Sequence, residues 1–71
     1  MARSAVTILL NGKPLEIPEH SGVLDLLAQL GQDPRAVAIE RNGDLLPRRE
    51  FATTRIEPGD RFELVHFVQG G

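Results

Sequence analysis

Two Asn-Gly pairs constrain the fold of this 71-residue chain more than any other feature of its sequence. The first pair, Asn11-Gly12, lies between an apolar run at residues 6–10 and an alternating polar and apolar run at residues 13–17. Both central residues of a type I′ turn need a positive φ, which Asn and Gly tolerate best. The sequence therefore predicts a β-hairpin at the start of the chain.

The second pair, Asn42-Gly43, predicts a second hairpin. It connects residues 37–41 to a short strand at Leu45-Leu46, which must stop at Pro47. Another proline, Pro14, lies within the second strand of the first hairpin. Because proline has no N–H to donate to a neighbouring strand, it predicts that this strand lies at an edge of the sheet.

A single helix is predicted between the two hairpins. Apolar residues recur at helical spacing over residues 22–30, with Ser21 as a candidate N-cap and Gly31 just after the last apolar position. A helix of this length is marginal alone, so its apolar stripe must lie against a sheet.

The last strand is predicted over residues 61–68, after a type II turn at residues 57–60. Residues 48–53 form an irregular turn that carries Phe51 inward. The first and last strands are the most apolar, which places them side by side in parallel, with the helix crossing over one face. The predicted fold is α+β: a β-grasp (ubiquitin-like) fold with a mixed sheet of four to five strands and one main helix across one face.

Composition excludes several classes of protein. The length allows a single domain, residues 1–71, with residues 69–71 as a flexible C-terminal tail. The absence of cysteine removes disulfides and thiolate metal sites, and His20 and His66 have no neighbours at metal-ligand spacing, so no metal site is predicted. A net charge of −2 with interspersed signs predicts no nucleic-acid partner. No apolar stretch suits a membrane span or signal peptide, so we expect a cytoplasmic protein.

The tail Gln69-Gly70-Gly71 is the strongest local signal of function. Three extended residues reach about 10 Å, enough to pass a carboxylate into the active site of a partner. Glycine has no Cβ, so its backbone can approach catalytic groups closely. The alternative is a frayed end without a role. A carboxylate is a poor acyl donor until activated, so this chain would be the substrate of an ATP-dependent enzyme and not a catalyst.

Two apolar residues of the last strand, Val65 and Phe67, point to the face opposite Phe62 and Leu64. If the latter pair meets the helix, Val65 and Phe67 form an exposed patch beside the tail, which suits docking of partner enzymes. Alternatively, residues 48–54 cover this second face. Arg48 is a candidate rim contact for a partner, although solvation alone also accounts for it.

The ordered set of motifs resembles the sulfur carriers of thiamine biosynthesis, ThiS, in the ThiS/MoaD group of ubiquitin-like proteins. The resemblance covers the chain from Val6 and depends on the following segments: Ile8-Leu9-Leu10-Asn11-Gly12, Val23-Leu24-Asp25-Leu26-Leu27, Val37-Ala38-Ile39-Glu40-Arg41-Asn42-Gly43, Leu46-Pro47-Arg48, and Pro58-Gly59-Asp60-Arg61-Phe62-Glu63-Leu64-Val65 leading to Gly70-Gly71.

This resemblance implies that Gly71 is adenylated by a ThiF-type enzyme that uses ATP and magnesium. The adenylate is then converted to a thiocarboxylate, with sulfur that comes from cysteine through a desulfurase. The thiocarboxylate is delivered to thiazole synthase, ThiG, where the thiazole ring of thiamine is built. The carrier itself binds no cofactor.

Other functions stay open at this point. The nearest alternative is a MoaD-type small subunit of molybdopterin synthase, which shares the fold, the Gly-Gly end and the thiocarboxylate. The short helix and the Leu46-Pro47-Arg48 segment favour the thiamine type. Sulfur donation to cysteine biosynthesis or tRNA thiolation, and a non-catalytic interaction module or protein modifier, are further alternatives. An enzyme is the least supported, because no nucleophile, base and orienting group occur at a usable spacing.

Overall fold

The computed structural model describes residues 4–67. Its strands are β1 Ala5–Leu10, β2 Lys13–Pro18, β3 Val37–Arg41, β4 Asp44–Leu46 and β5 Arg61–His66. Its helices are α1 Val23–Leu30 and two 3₁₀ turns, Pro34–Ala36 and Arg48–Glu50. The predicted end of the last strand at Val68 and the predicted tail at residues 69–71 lie outside the described residues.

Both Asn-Gly pairs form the predicted turns. Asn11 and Gly12 have φ values of 50° and 84°, and Asn42 and Gly43 have values of 53° and 90°. Two consecutive positive φ values are the signature of a type I′ turn. Each turn joins antiparallel strands, β1 with β2 and β3 with β4, so both hairpins are confirmed.

The five strands form one mixed sheet in the order β2-β1-β5-β3-β4. β1 and β5 pair in parallel at the centre, and every other neighbouring pair is antiparallel. The predicted β-grasp arrangement is therefore confirmed, and β2, which contains Pro14, lies at an edge as expected.

The start of helix α1 differs from the prediction. Gly22, not Ser21, is the N-cap residue, and its N–H donates to the carboxylate of Asp25 at 2.8 Å. The Ser21 hydroxyl instead donates to the Pro18 carbonyl at 2.6 Å. The backbone explains the shift, because the first helical N–H, on Val23, already donates to a carbonyl of the loop before β5. At the other end, Gly31 adopts the predicted left-handed conformation.

The core lies between α1 and one face of the sheet. Val23, Leu26 and Leu27 of the helix are buried against it, which confirms these positions of the predicted apolar stripe, whereas Leu24 is exposed. Phe51 is also buried, as the inward turn at residues 48–53 requires. The remaining buried apolar residues are Ile8, Ile17, Val37, Ile39, Leu46, Ile56, Phe62 and Leu64. Burial of each such side chain contributes about 1.5–3 kcal/mol relative to exposure.

A polar cluster fixes the start of β5. The Asp60 carboxylate is buried and accepts hydrogen bonds from Arg41 Nε at 3.0 Å, Arg41 Nη2 at 2.8 Å, Asn42 Nδ2 at 3.1 Å and the Glu57 N–H at 2.9 Å. Burial alone would raise the pKa of Asp60, but these hydrogen bonds outweigh it and hold the pKa below its usual value. The cluster ties the turn before β5 to the second hairpin.

The asparagines of both hairpin turns also bind β5 directly. Asn42 Oδ1 accepts from the Arg61 N–H at 2.9 Å, and Asn11 Oδ1 accepts from the Leu64 N–H at 2.9 Å. These side chains replace backbone partners where β3 and β1 turn away from β5. Each turn therefore positions the strand that leads to the C-terminal tail.

Candidate functional site at the end of strand β5

The end of β5 exposes the two apolar side chains that the sequence predicts. Phe62 and Leu64 are buried on the helix side of the sheet, whereas Val65 and Phe67 are 60% and 48% exposed. The predicted alternation along the strand is confirmed. We call Val65 and Phe67 the apolar patch; it lies immediately before the four residues 68–71.

Arg48 lies beside this patch and is held by its own chain. Its Nε donates to the Pro34 carbonyl at 3.1 Å, and its Nη2 donates to the Val37 carbonyl at 2.7 Å. The guanidinium carbon lies 5.9 Å from the ring centroid of Phe51 and 6.0 Å from that of Phe67. Cation–π attraction at this range favours a fixed position for the Phe67 ring.

The alternative, that residues 48–54 cover the second face of the sheet, accounts for little of the patch. Arg48 approaches Phe67, yet Val65 and Phe67 keep about half of their surface exposed. The structure thus brings Arg48, Val65 and Phe67 together at one end of the sheet. Their role in docking stays a prediction.

Two further contacts hold the end of β5, and neither follows from the sequence. The Phe67 N–H donates to the Ala36 carbonyl at 2.9 Å. His66 Nε2 hydrogen-bonds Gln32 Oε1, in the loop after α1. Gln32 and Ala36 are more than 30 positions from their partners, so no local pattern indicates either contact. Both connect the loop between α1 and β3 to the last described residues.

An exposed ion pair lies at the 3₁₀ turn Pro34–Ala36. Asp33 accepts from the side chain of Arg35 at 3.1 Å and from its backbone N–H at 2.9 Å. The hydrogen bond from the Arg35 side chain is the main reason that the pKa of Asp33 lies below its usual value. This pair caps the 3₁₀ turn whose Pro34 carbonyl binds Arg48.

Within residues 4–67, no group of three or more His, Asp or Glu side chains is placed to hold a metal ion. Among the helices of the same residues, none has the length and apolar character needed to cross a membrane. The predicted site residues Gln69, Gly70 and Gly71 lie outside the described part of the chain.

Comparison with known proteins identifies the family. The model of the ThiS family matches residues 8–71, nine-tenths of the chain. The chain belongs to the ThiS family. The resemblance to the ThiS sulfur carriers is thereby confirmed, and this membership agrees with the prediction of a carrier and not an enzyme.

Relatives of known name agree with the ThiS family. Sulfur carrier protein ThiS of Bacillus subtilis is 33% identical over 63 residues, which cover 87% of this chain and 96% of that protein. The crystal structure of thiamine biosynthesis protein ThiS from Geobacter metallireducens superposes with a TM-score of 0.78 at 33% identity. That match covers 93% of this chain and all of the Geobacter chain.

Two longer relatives of this ThiS family member carry the name thiazole synthase. The thiazole synthase of Paramagnetospirillum magneticum is 36% identical over 64 residues, which cover 90% of this chain but 20% of that protein. This chain therefore spans about a fifth of the length of that relative. A thiazole synthase from Magnetococcus marinus shows the same proportions.

Proposed function

We propose that this chain carries sulfur as a thiocarboxylate on Gly71 and donates it to thiazole synthase, ThiG, for the thiazole ring of thiamine. The match to the ThiS family carries this proposal, because it extends through Gln69-Gly70-Gly71. Gly71 supplies the reacting carboxylate. Gln69 and Gly70 form the segment that enters the active site of the partner.

Activation comes first. The carboxylate oxygen of Gly71 attacks the α-phosphorus of ATP, which forms an acyl-adenylate and releases pyrophosphate. A ThiF-type enzyme supplies the magnesium ion and the groups that stabilise the phosphate charge. The carrier contributes a tail without bulky side chains, so the carbonyl can reach these groups closely.

Sulfur transfer follows. A sulfur nucleophile at the oxidation level of sulfide attacks the activated carbonyl, AMP leaves, and the C-terminal group becomes a thiocarboxylate. The sulfur originates from cysteine through a desulfurase, an indirect partner that holds it as a persulfide. A thiol reductant releases it as sulfide and is itself oxidised to a disulfide. We also propose that the protein acts in the cytoplasm.

Thiazole synthase as the acceptor is supported by the two longer relatives. Each carries the name thiazole synthase and contains a segment similar to this chain in about a fifth of its length. In those organisms a ThiS-like segment is thus covalently joined to a protein named for the acceptor reaction. The same pairing between separate chains is our proposal here.

Docking at the end of β5 supplies the affinity that the tail lacks. Ordering each tail residue costs roughly 1–2 kcal/mol, so contacts made by the folded body must offset this. The apolar patch lies next to the tail, and Arg48 holds the Phe67 ring in place. We propose that Val65, Phe67 and Arg48 contact both enzymes in turn.

Complementation tests the pathway. The gene should restore growth without thiamine to a strain that lacks its own ThiS, and a variant without Gly71 should not. The matched control is a strain that lacks MoaD, which the gene should not rescue. Rescue of molybdenum cofactor synthesis in place of thiamine synthesis would contradict the proposal, as would covalent conjugates of the chain on target proteins.

A further inference from the structure

Backbone groups along β5 alternate in direction. The Phe67 N–H donates to the Ala36 carbonyl at 2.9 Å, and the Asn42 N–H donates to the Arg61 carbonyl at 2.7 Å. The pairing of β5 with β3 has the same register between these ends. Since hydrogen-bonded pairs alternate in an antiparallel ladder, the odd-numbered residues of β5 bond to β3. The backbone N–H and C=O groups of the even-numbered residues point to the opposite side, toward β1.

On that opposite side, β1 ends before β5 does. The two strands pair only as far as Leu10 and Phe62, and the Asn11 N–H then donates to the Phe62 carbonyl at 2.9 Å. Asn11 Oδ1 accepts a hydrogen bond from the Leu64 N–H, and the chain then turns into β2. Within residues 4–67, no strand pairs with the Leu64 carbonyl or with the N–H and carbonyl of His66. We call these three groups the free edge.

The other edges of the sheet are protected against pairing. β2 contains Pro14 and ends at Pro18, and β4 has three residues and is followed by Pro47. Prolines and short strands are the means by which proteins block edge pairing. The free edge has neither, and the exposed side chains of Val65 and Phe67 flank it.

We infer that the free edge receives an extended segment of the enzyme that adenylates the tail, so that the two proteins share strand pairing through β5. This inference rests on the proposed function. Residues 68–71 extend at most about 14 Å beyond Phe67. An enzyme that binds the carboxylate of Gly71 therefore has its surface against the end of β5. Unpaired backbone donors and acceptors on an extended strand are the groups that strand addition satisfies.

This mode of binding suits the exposed end of β5. Strand pairing uses backbone groups alone, so it requires no particular side chain at the free edge. The apolar patch lies on the sheet face beside the new strand, where it can pack against apolar side chains of the enzyme. A segment paired at the free edge thus fixes the register between the end of β5 and the enzyme.

Amide hydrogen exchange of the full chain tests this inference. In the free protein, the His66 amide should exchange much faster than the amides of Val65 and Phe67, which bond to β3. In complex with the ThiF-type enzyme, without ATP, the His66 amide should slow at least tenfold. Its two neighbours serve as internal controls because they are bonded in both states.

Two variants distinguish the contribution of the His66 backbone N–H from that of its imidazole. H66P removes the N–H of the free edge, whereas H66A keeps it and removes the side-chain contact with Gln32. H66P should raise the KM for the carrier in adenylation about fivefold relative to H66A, as expected for one lost hydrogen bond. Slow exchange of the β3 amides would show that H66P is folded. If H66P does not fold, the exchange of the His66 amide in the unmodified protein still tests the inference.

The outcomes distinguish the two proposals. An unmodified chain that is not adenylated at all contradicts the proposed function. A chain that is adenylated while its His66 amide stays fast in the complex contradicts the strand pairing alone. Protection of His66 in the free protein, with dimers in sedimentation, assigns the edge to a second copy and also overturns the inference.

Discussion

The two halves of β5 differ more than any other neighbouring parts of the molecule. The first half lies between β1 and β3, is fixed by Asp60 and by two asparagine side chains, and buries Phe62 and Leu64. The second half pairs on one side only and exposes Val65, and the Phe67 side chain just after it is also exposed. One strand thus supplies stability at its start and leaves accessible surface at its end. Substitutions in the two halves should therefore separate folding from sulfur transfer.

Removal of Gly71 should have the largest effect on function. The reacting carboxylate would move to Gly70, one residue short of the catalytic groups, so thiocarboxylate formation should be lost. The midpoint of urea unfolding should not change, because the described core is complete without this residue. Extension of the chain by one residue beyond Gly71 is the matched control and should be equally inactive. A truncated chain that still accepts sulfur would refute the account.

Phe62, near the start of β5, and Phe67, just after its end, offer a matched comparison. F62A removes a fully buried ring and should cost about 3–5 kcal/mol of the free energy of unfolding. F67A removes a half-exposed ring and should cost less than about 1 kcal/mol. Urea unfolding measures both.

Adenylation kinetics complete the same comparison. F67A should raise the KM for the carrier with little change in kcat, since it weakens docking and leaves the tail intact. Equal losses of stability in the two variants would show that the halves of β5 do not differ as described.

The Asp60 cluster should produce acid sensitivity. D60N removes a carboxylate that accepts four hydrogen bonds and should cost about 2 kcal/mol at neutral pH. The pKa of Asp60 is lowered on folding, so its stabilisation is present above the ordinary pKa near 4 and is lost as the pH falls through the folded value.

Unfolding measured at several pH values checks this. The difference between wild type and D60N should shrink below about pH 4. D33N, which removes the exposed partner of Arg35, should change the acid limb less, because solvent screens that pair. A constant difference between wild type and D60N across this range would argue against the charge as the source of stability.

N11G should cost less stability than D60N. Glycine keeps the positive φ of the turn but loses the hydrogen bond to the Leu64 N–H, at a cost of about 1 kcal/mol. The Leu64 amide should exchange faster, while the Val65 amide, which bonds to β3, should change less. Equal acceleration of both amides would mean that the whole end of β5 depends on Asn11.

Local sequence signals predict most of the elements and fewer of the contacts. The Asn-Gly pairs predict the turns because positive φ is a property of the residues themselves. The side-chain bond from Asn11 to Leu64 spans 53 positions and depends on where β5 docks, so no local pattern contains it. The prediction that Ser21 is the N-cap is wrong for a similar reason, since a distant loop carbonyl already accepts the first helical N–H.

In the candidate site, too, local signals predict some features and not others. Alternation along β5 predicts exposure of Val65 and Phe67, because side-chain direction has a fixed period in a strand. The role of Arg48 in holding Phe67 depends on carbonyls of Pro34 and Val37, which come near only in the folded chain.

Mass spectrometry of the intact protein tests the central claim most directly. The chain is incubated with ATP, magnesium, a ThiF-type enzyme and a sulfur source, and fragmentation then locates any change in mass. We expect one oxygen to be replaced by sulfur, with the change confined to Gly71. An unchanged mass under conditions that convert a known ThiS, or sulfur found elsewhere in the chain, would contradict the account.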